Sequence, residues 1–266
     1  MTEATAATSR KKNRTTKNGK PRLTRRMVMP DDPLVTIVIP VYNEEKILRT
    51  AINSLMMEVS DRFDWDFEVI ITENGSTDNT VPIAKELGQR YENLKVLHCP
   101  EPNYGKALRQ GILAAKGTYV LCDEIDLCDT NFYAEALRIL MNDDADFVVG
   151  SKLLAEAEDE RPVMRRTASW VLNQMLRYGA GFKGTDTHGL KSFQREKLLN
   201  VVNACKVDKD IFASEFVIRA ERAYVRILEI PISLKEIRPP SIHLFKRVPS
   251  ALKNIARLSY LMRIKG

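Results

Sequence analysis

Gly117-Thr-Tyr-Val-Leu-Cys-Asp-Glu-Ile-Asp126-Leu127 is a short apolar run that closes in a cluster of carboxylates. Read as a strand, it puts Glu124 and Asp126 on one side and Ile125 in the core, because side chains alternate faces. Two neighbouring carboxylates repel each other unless a cation sits between them. Hard oxygen donors suit Mg²⁺ or Mn²⁺, which take one or two protein carboxylates and fill their other positions with phosphate oxygens and water. A competing register pairs Asp123 with Asp126 or Asp129, and an isolated acidic stretch can also be a solvated turn.

Outward from that run, short apolar segments alternate with amphipathic ones. Strands are expected at 34–40, 67–72, 94–99, 118–124 and 146–151. Helices are expected at 45–57, 80–91, 106–116 and 131–141, from apolar residues at helical spacing. Near-continuous apolar strands joined by helices imply an α/β fold with a mostly parallel sheet covered on both faces. Ligands then bind beyond the carboxyl ends of the strands. After Ser151 the pattern is less regular: a charged loop over 156–166, a helix over 165–178, a Gly-rich turn, the segment 191–205 and a last strand over 227–234.

The chain has 266 residues, 44% hydrophobic and 29% charged, which is ordinary for a globular protein. Its net charge of +6 is concentrated at the ends, with nine Lys/Arg against one Glu in residues 1–30 and eight against one over 235–266. An acidic body between basic ends does not match a nucleic-acid-binding domain. Residues 1–30 are expected to be a disordered basic tail, with an organelle transit peptide as the alternative. No apolar run reaches membrane-spanning length. Four cysteines without C-x-x-C spacing fit free thiols in a reducing compartment, and three scattered histidines argue against zinc. A cytoplasmic protein is expected.

Each strand end carries a polar motif. The first strand runs into Pro40-Val-Tyr-Asn-Glu-Glu45, the second into Glu73-Asn-Gly-Ser-Thr-Asp-Asn-Thr80, and the third is followed by Asn103-Tyr-Gly-Lys-Ala-Leu-Arg109. With the carboxylate pair, these four motifs resemble the nucleotide-sugar-binding half of the family 2 glycosyltransferases of the GT-A (Rossmann-like) fold. The resemblance implies a nucleotide-sugar donor and a divalent metal, Mg²⁺ or Mn²⁺, bridging its diphosphate. It would place Pro40, Tyr42 and Glu44 at the nucleoside, Glu73 and Asn74 at the base, Lys106 near the diphosphate, and Glu124 with Asp126 on the metal. Two positions depart from the family strings: Glu73-Asn74 stands for a pair of acids, and Glu-Ile-Asp126 for D-x-D. The first leaves the nucleobase open; at the second, Glu124 can still bind metal but reaches further than an aspartate would.

Gly184-Thr-Asp-Thr-His-Gly-Leu-Lys191 is similar to a segment of the dolichyl-phosphate mannosyltransferase branch, shortened by one residue. Glu215, Glu229-Ile-Pro-Ile232 and Arg238-Pro-Pro-Ser241 follow that branch's order. The resemblance implies an inverting transfer of sugar to a polyprenyl phosphate or another cytosolic or lipid-linked acceptor. It puts Arg238, and less firmly Ser241, near the phosphates. If the acceptor is a sugar hydroxyl, Asp186 is the first choice of general base and His188 the second; both can equally be turn residues. The organisation expected is a GT-A domain over 31–245, divided at 150 into donor and acceptor halves. A basic amphipathic helix over 246–266 would follow, its stripe Val248, Leu252, Ile255, Leu258 and Met262 either packed on the domain or laid at an anionic membrane surface. A sugar-phosphate nucleotidyltransferase fits poorly without glycine in Pro40–Glu45. A catalytically silent relative that binds or regulates is the alternative function.

Overall fold

A computed structural model describes residues 35–155, 157, 163–208, 211–233 and 244–264, without the side chains of 165, 244–251 and 264. Among them run β1 (Val35–Val41), α1 (Leu48–Arg62), β2 (Phe67–Asn74), α2 (Thr80–Arg90), β3 (Leu94–Cys99), α3 (Tyr104–Ala114), β4 (Tyr119–Cys122), α4 (Thr130–Met141) and β5 (Phe147–Ser151). There follow α5 (Val163–Ala180), β6 (Lys191–Gln194), α6 (Arg195–Ala204), α7 (Phe212–Arg222), β7 (Ile227–Pro231) and α8 (Leu244–Ile264). The expected tail over 1–30 lies outside the described residues.

One sheet, ordered β3-β2-β1-β4-β6-β5-β7, spans both halves of the chain. All its pairings are parallel except those of β6, which runs antiparallel between β4 and β5. β1 is buried along its whole length because helices cover both faces. On one face Ile37, Ile39 and Ile71 pack with Leu48 and Ile52 of α1, Leu87 of α2 and Leu137 of α4. On the other, Val38, Ile70 and Phe147 pack with Leu108 of α3, Phe216 of α7 and Leu258 of α8. Burying one such side chain is worth about 1.5–3 kcal/mol relative to leaving it in water.

The order turns from β1 toward β2 on one side and β4 on the other, so a crevice opens beyond their carboxyl ends. Pro40 is tolerated in this central strand for a specific reason. Val38 O accepts from Asp123 N at 3.0 Å, so the residues in phase with Val38 face β4. Two residues on, β4 has already ended, and the missing N–H of Pro40 forfeits no ladder bond.

Three expectations need correction. The segment 191–205 is a strand followed by a helix, and α7 was not anticipated. α5 begins at Val163, inside the stretch read as a charged loop. β4 stops at Cys122, so Glu124 does not lie on a strand. The chain turns there because Asp123, 2% exposed, accepts N–H bonds from Glu124 at 2.6 Å and Asp129 at 3.1 Å. Leu127 N also bonds Glu124 O at 2.9 Å. A short side-chain acceptor thus outcompetes the sheet for these backbone donors.

Candidate active site

The first two motifs bind each other. Asn43, with φ 55°, donates its N–H to Ser76 Oγ at 2.9 Å and accepts Thr77 N at 2.8 Å on Oδ1. Glu44 N donates to Thr80 Oγ1 at 2.7 Å, and Glu45 N to Asp78 Oδ2 at 3.2 Å. The loops after β1 and β2 therefore form one unit, with Pro40 and Glu44 buried and Tyr42 half-buried within it. Glu73, buried at the end of β2, accepts Ser76 N at 2.5 Å and bonds the half-exposed ring of His98. Asn74 Oδ1 accepts Asn103 N at 2.5 Å, and Asn103 in turn caps α3 by accepting Lys106 N at 3.0 Å. The Glu73 carboxylate is thus engaged within the fold, and His98 is the group it holds toward solvent.

Lys106 is not grouped with the acidic pair. Its ammonium is exposed and paired with Glu101 at 3.0 Å. Positive charge reaches the acids from two other residues instead. Lys152, just past β5, and Lys191, at the start of β6, are nearly buried and both act electrostatically on Glu124. Lys191 Nζ donates to Gly189 O at 2.7 Å, and burial lowers its pKa to about 8. Its place at the end of the Gly184–Lys191 motif was the sequence signal for it; Lys152 carried none.

The acids differ in which of them are already occupied. Both oxygens of Asp123 are taken, Oδ2 also by Tyr133 Oη, and burial raises this carboxyl to about 7. Asp129 caps α4, accepting from Asn131 N at 2.9 Å and Phe132 N at 3.2 Å. Glu124 and Asp126 have no such partners and lie close enough to repel, held together by the turn rather than by strand alternation. Desolvation by the surrounding cleft is the main cause of the raised pKa of Glu124, and the charge of Asp126 adds to it. Tyr104, between Asn103 and Gly105, was overlooked. A third of the residue is exposed, yet burial of its hydroxyl end, followed by the charges of Glu124, Cys122, Asp123 and Asp126, raises its pKa well above the ordinary tyrosine value.

Asp186 closes the other side. Its Oδ2 pairs with Lys152 Nζ at 3.0 Å and its Oδ1 accepts His188 N at 2.9 Å. Burial acts to raise its pKa, but the Lys152 charge and the His188 N–H outweigh it, and the net shift is downward. His188 is half-buried, with Nδ1 3.0 Å from Thr187 Oγ1. The loop sits tightly on β5: a Cβ at Gly189 would fall 1.6 Å from Gly150 O, so only glycine fits. Glu229 accepts Thr185 N at 2.7 Å, and Glu215 accepts Val207 N at 2.6 Å and pairs with Arg219 at 2.7 Å, so both serve loop structure. Arg238 and Ser241 lie outside the described residues.

No group of three or more metal-ligating side chains occurs among the described residues, where the site offers the two carboxylates Glu124 and Asp126. A free pair of hard oxygen donors fits Mg²⁺ or Mn²⁺, which leave their remaining positions to phosphate and water.

The family model described as glycosyl transferase family 2 matches residues 36–201. A dolichyl-phosphate beta-glucosyltransferase of Trichomonas vaginalis is 27% identical over 250 residues, covering 86% of this chain and 74% of the relative. The dolichyl-phosphate beta-glucosyltransferase of Saccharomyces cerevisiae is 26% identical over 259 residues, covering 88% and 77%. Among solved structures, glucosyl-3-phosphoglycerate synthase from Mycobacterium tuberculosis, in complex with Mn²⁺, UDP and its product, superposes with a TM-score of 0.61 at 17% identity. That match covers 87% of this chain and 80% of the other, and it shows a shared fold.

Proposed function

Because the chain belongs to glycosyltransferase family 2 and is a glycosyltransferase, we propose that it transfers a sugar from a nucleotide-sugar to a polyprenyl phosphate, with inversion at the anomeric carbon and with Mg²⁺ or Mn²⁺ bound. UDP-glucose is the first donor to test, since two relatives are named glucosyltransferases and a structural neighbour carries UDP.

The observation that carries the acceptor class is the state of Asp186. A hydroxyl acceptor needs a base whose pKa lies near the working pH. Asp186 has a lowered pKa and is committed to Lys152 and His188 N, which makes it a weak base. A phosphate acceptor is already anionic and needs no base, but it does need positive charge. Lys152 and Lys191 supply that charge from buried positions beside Glu124.

The reaction breaks the bond between the anomeric carbon and the donor's diphosphate oxygen through an oxocarbenium-like transition state. An acceptor phosphate oxygen forms the new bond from the opposite face. Glu124 and Asp126 would hold the cation, which supplies Lewis-acid neutralisation of the leaving diphosphate. The Tyr104 hydroxyl, which feels the charge of both carboxylates, would be a donor to them. The laced loops carrying Pro40, Tyr42 and Glu44 form a rigid wall for the nucleoside, and Asn74 and His98 stand at the strand ends where a base would lie.

Thermal-shift titration with UDP-, GDP-, dTDP- and ADP-sugars, with and without Mn²⁺, tests the donor site, because a ligand bound only to the folded state stabilises it. Stabilisation by one nucleotide that needs Mn²⁺ and is lost in Glu124→Gln and Asp126→Asn is expected. No response to any of them would refute the reading.

A further inference from the structure

α5 carries a second apolar face besides the one it packs on the domain. Its residues Val163, Trp170, Val171 and Tyr178 recur at spacings of seven and eight, which places them on one face, and all are exposed, Tyr178 at 76% and Trp170 at 56%. The core-facing side carries Leu172, Met175, Leu176 and Ala180 together with the buried Asn173. A helix whose only neighbour is its own domain needs one apolar stripe, turned inward, and a polar outer face.

The neighbouring α8 shows the same pattern more weakly. Ile255, Leu258 and Met262 of the expected apolar stripe are buried and pack on the domain, while the side chain of Val248 lies outside the described residues. Leu252, expected in the stripe, is instead 44% exposed, and Tyr260, eight residues on, shares its outward face. The helices touch at Gly179, where an added Cβ would lie 2.5 Å from Ser259 Oγ.

Charge identifies what such a face fits. Neither helix contains an acidic residue, over 18 and 21 positions. Arg166 and Arg177 of α5 and Lys253, Arg257 and Arg263 of α8 are exposed. Apolar stripes with Trp and Tyr, flanked by Arg and Lys, suit a negatively charged lipid–water interface. No described helix is long and apolar enough to cross a bilayer.

We propose that the outward faces of α5 and α8 together lie on an anionic lipid surface, with Trp170 and Tyr178 at the depth of the headgroups. The inference deepens the lipid-acceptor reading and rests on it for the reason a lipid surface would be met. Asn173 Nδ2 donates to Thr185 O at 2.9 Å and Arg177 Nη2 to Gly184 O at 3.1 Å, so α5 is tied to the loop that carries Asp186. A lipid phosphate held in that surface would reach Lys152 and Lys191 from the side on which this loop lies.

The test uses the full chain, without nucleotide or acceptor lipid, mixed with vesicles of phosphatidylcholine alone or with about one-third phosphatidylserine. The chain has two tryptophans, and Trp65 is stacked on Phe63 with ring centroids 4.5 Å apart, so a Trp65→Phe background reports Trp170 alone. On anionic vesicles the emission should shift to the blue and be quenched by brominated acyl chains, with affinity falling as salt rises. Trp170→Ser/Tyr178→Ser should bind at least about tenfold more weakly. Arg257→Glu should weaken binding by about fivefold for each unit of charge changed. Melting temperature and nucleotide response should be unchanged in both. Absence of vesicle binding would overturn the proposal and leave the face to a protein partner. Binding with unaltered Trp170 emission would also overturn it, by moving the contact elsewhere in the chain. Transfer to a water-soluble short-chain polyprenyl phosphate is scored separately: its absence in the wild type sinks the proposed function and leaves the lipid contact standing.

Discussion

Replacing Lys152 with Met keeps the length of the side chain and removes its charge from a site where both partners are buried, their side chains 9% and 2% exposed. The intact pair adds little net stability, because desolvating two charges offsets most of their attraction. Its removal is another matter. The Asp186 carboxylate would keep the His188 N–H and the more distant Lys191 charge but lose its 3.0 Å ammonium partner. Breaking a buried pair on one side costs about 3–5 kcal/mol, and the surviving partners put this case near 3 kcal/mol. For a chain of this size that is a fall in melting temperature of about 6–9 °C. The pH dependence has a definite sign. In the wild type the Asp186 pKa is lowered, so its contribution is present above the unfolded value of about 4 and is lost as pH falls through the folded one. In the variant, burial acts without Lys152 and raises the folded pKa. The deficit is then largest at neutral pH and shrinks as the pH drops toward 5. Lys152→Met/Asp186→Asn should recover most of the loss, giving a coupling of about 2 kcal/mol or more. Melting curves of the four proteins between pH 5 and 8 measure this. Additive single losses, or a Lys152→Met protein as stable as wild type at pH 7, would refute the buried-pair account.

Tyr104→Phe removes a hydroxyl on which the charges of Glu124 and Asp126 act; it should cost about 1 kcal/mol of stability at most while weakening the Mn²⁺-dependent thermal shift with UDP-glucose severalfold. Gly189→Ala cannot fit without moving the loop away from Gly150 O, so a loss of about 2 kcal/mol or more and a fall in transfer activity are expected, both measurable on the purified variant. Asp146, at the opposite end of β5, has a strongly lowered pKa, caused chiefly by Arg226 and then by Lys197. Its contribution holds above about pH 4 and disappears as the pH falls through the folded value, so Asp146→Asn should narrow its stability gap to wild type in acid. Because Arg226 and Lys197 are each about half exposed, the gap at pH 7 should be only about 1 kcal/mol in denaturant titration.

The parallel part of the sheet could be read from the sequence because fully buried strands are continuous apolar runs; the expected bounds of β3 agree with the structure residue for residue. β6 was not legible as a strand: it has four residues, one of them the buried Lys191, and periodicity has little to work on at that length. The acidic pair was read from the wrong local geometry. Alternation assumed that the strand continued through Glu124, whereas capture of backbone N–H groups by Asp123 ends it at Cys122. Lys106 was expected near the diphosphate from its motif position; its exposed ammonium is paired with Glu101. Lys152 reaches the site only because β5 lies two strands from β4 with β6 between them, a spatial order that the sequence does not encode locally. The α8 stripe was read correctly as apolar; only tertiary packing decides that Ile255, Leu258 and Met262 face the core while Leu252 faces out.

The central claim is that this site moves a sugar to a lipid phosphate under the control of Glu124 and Asp126. The direct measurement is transfer from labelled UDP-glucose, with Mn²⁺, to a polyprenyl phosphate and, in parallel, to the matching polyprenol that lacks the phosphate. The account predicts an inverted glycosyl phospholipid from the phosphate alone, lost in Glu124→Gln and Asp126→Asn. Equal transfer to the polyprenol, or transfer that survives both substitutions, would contradict it.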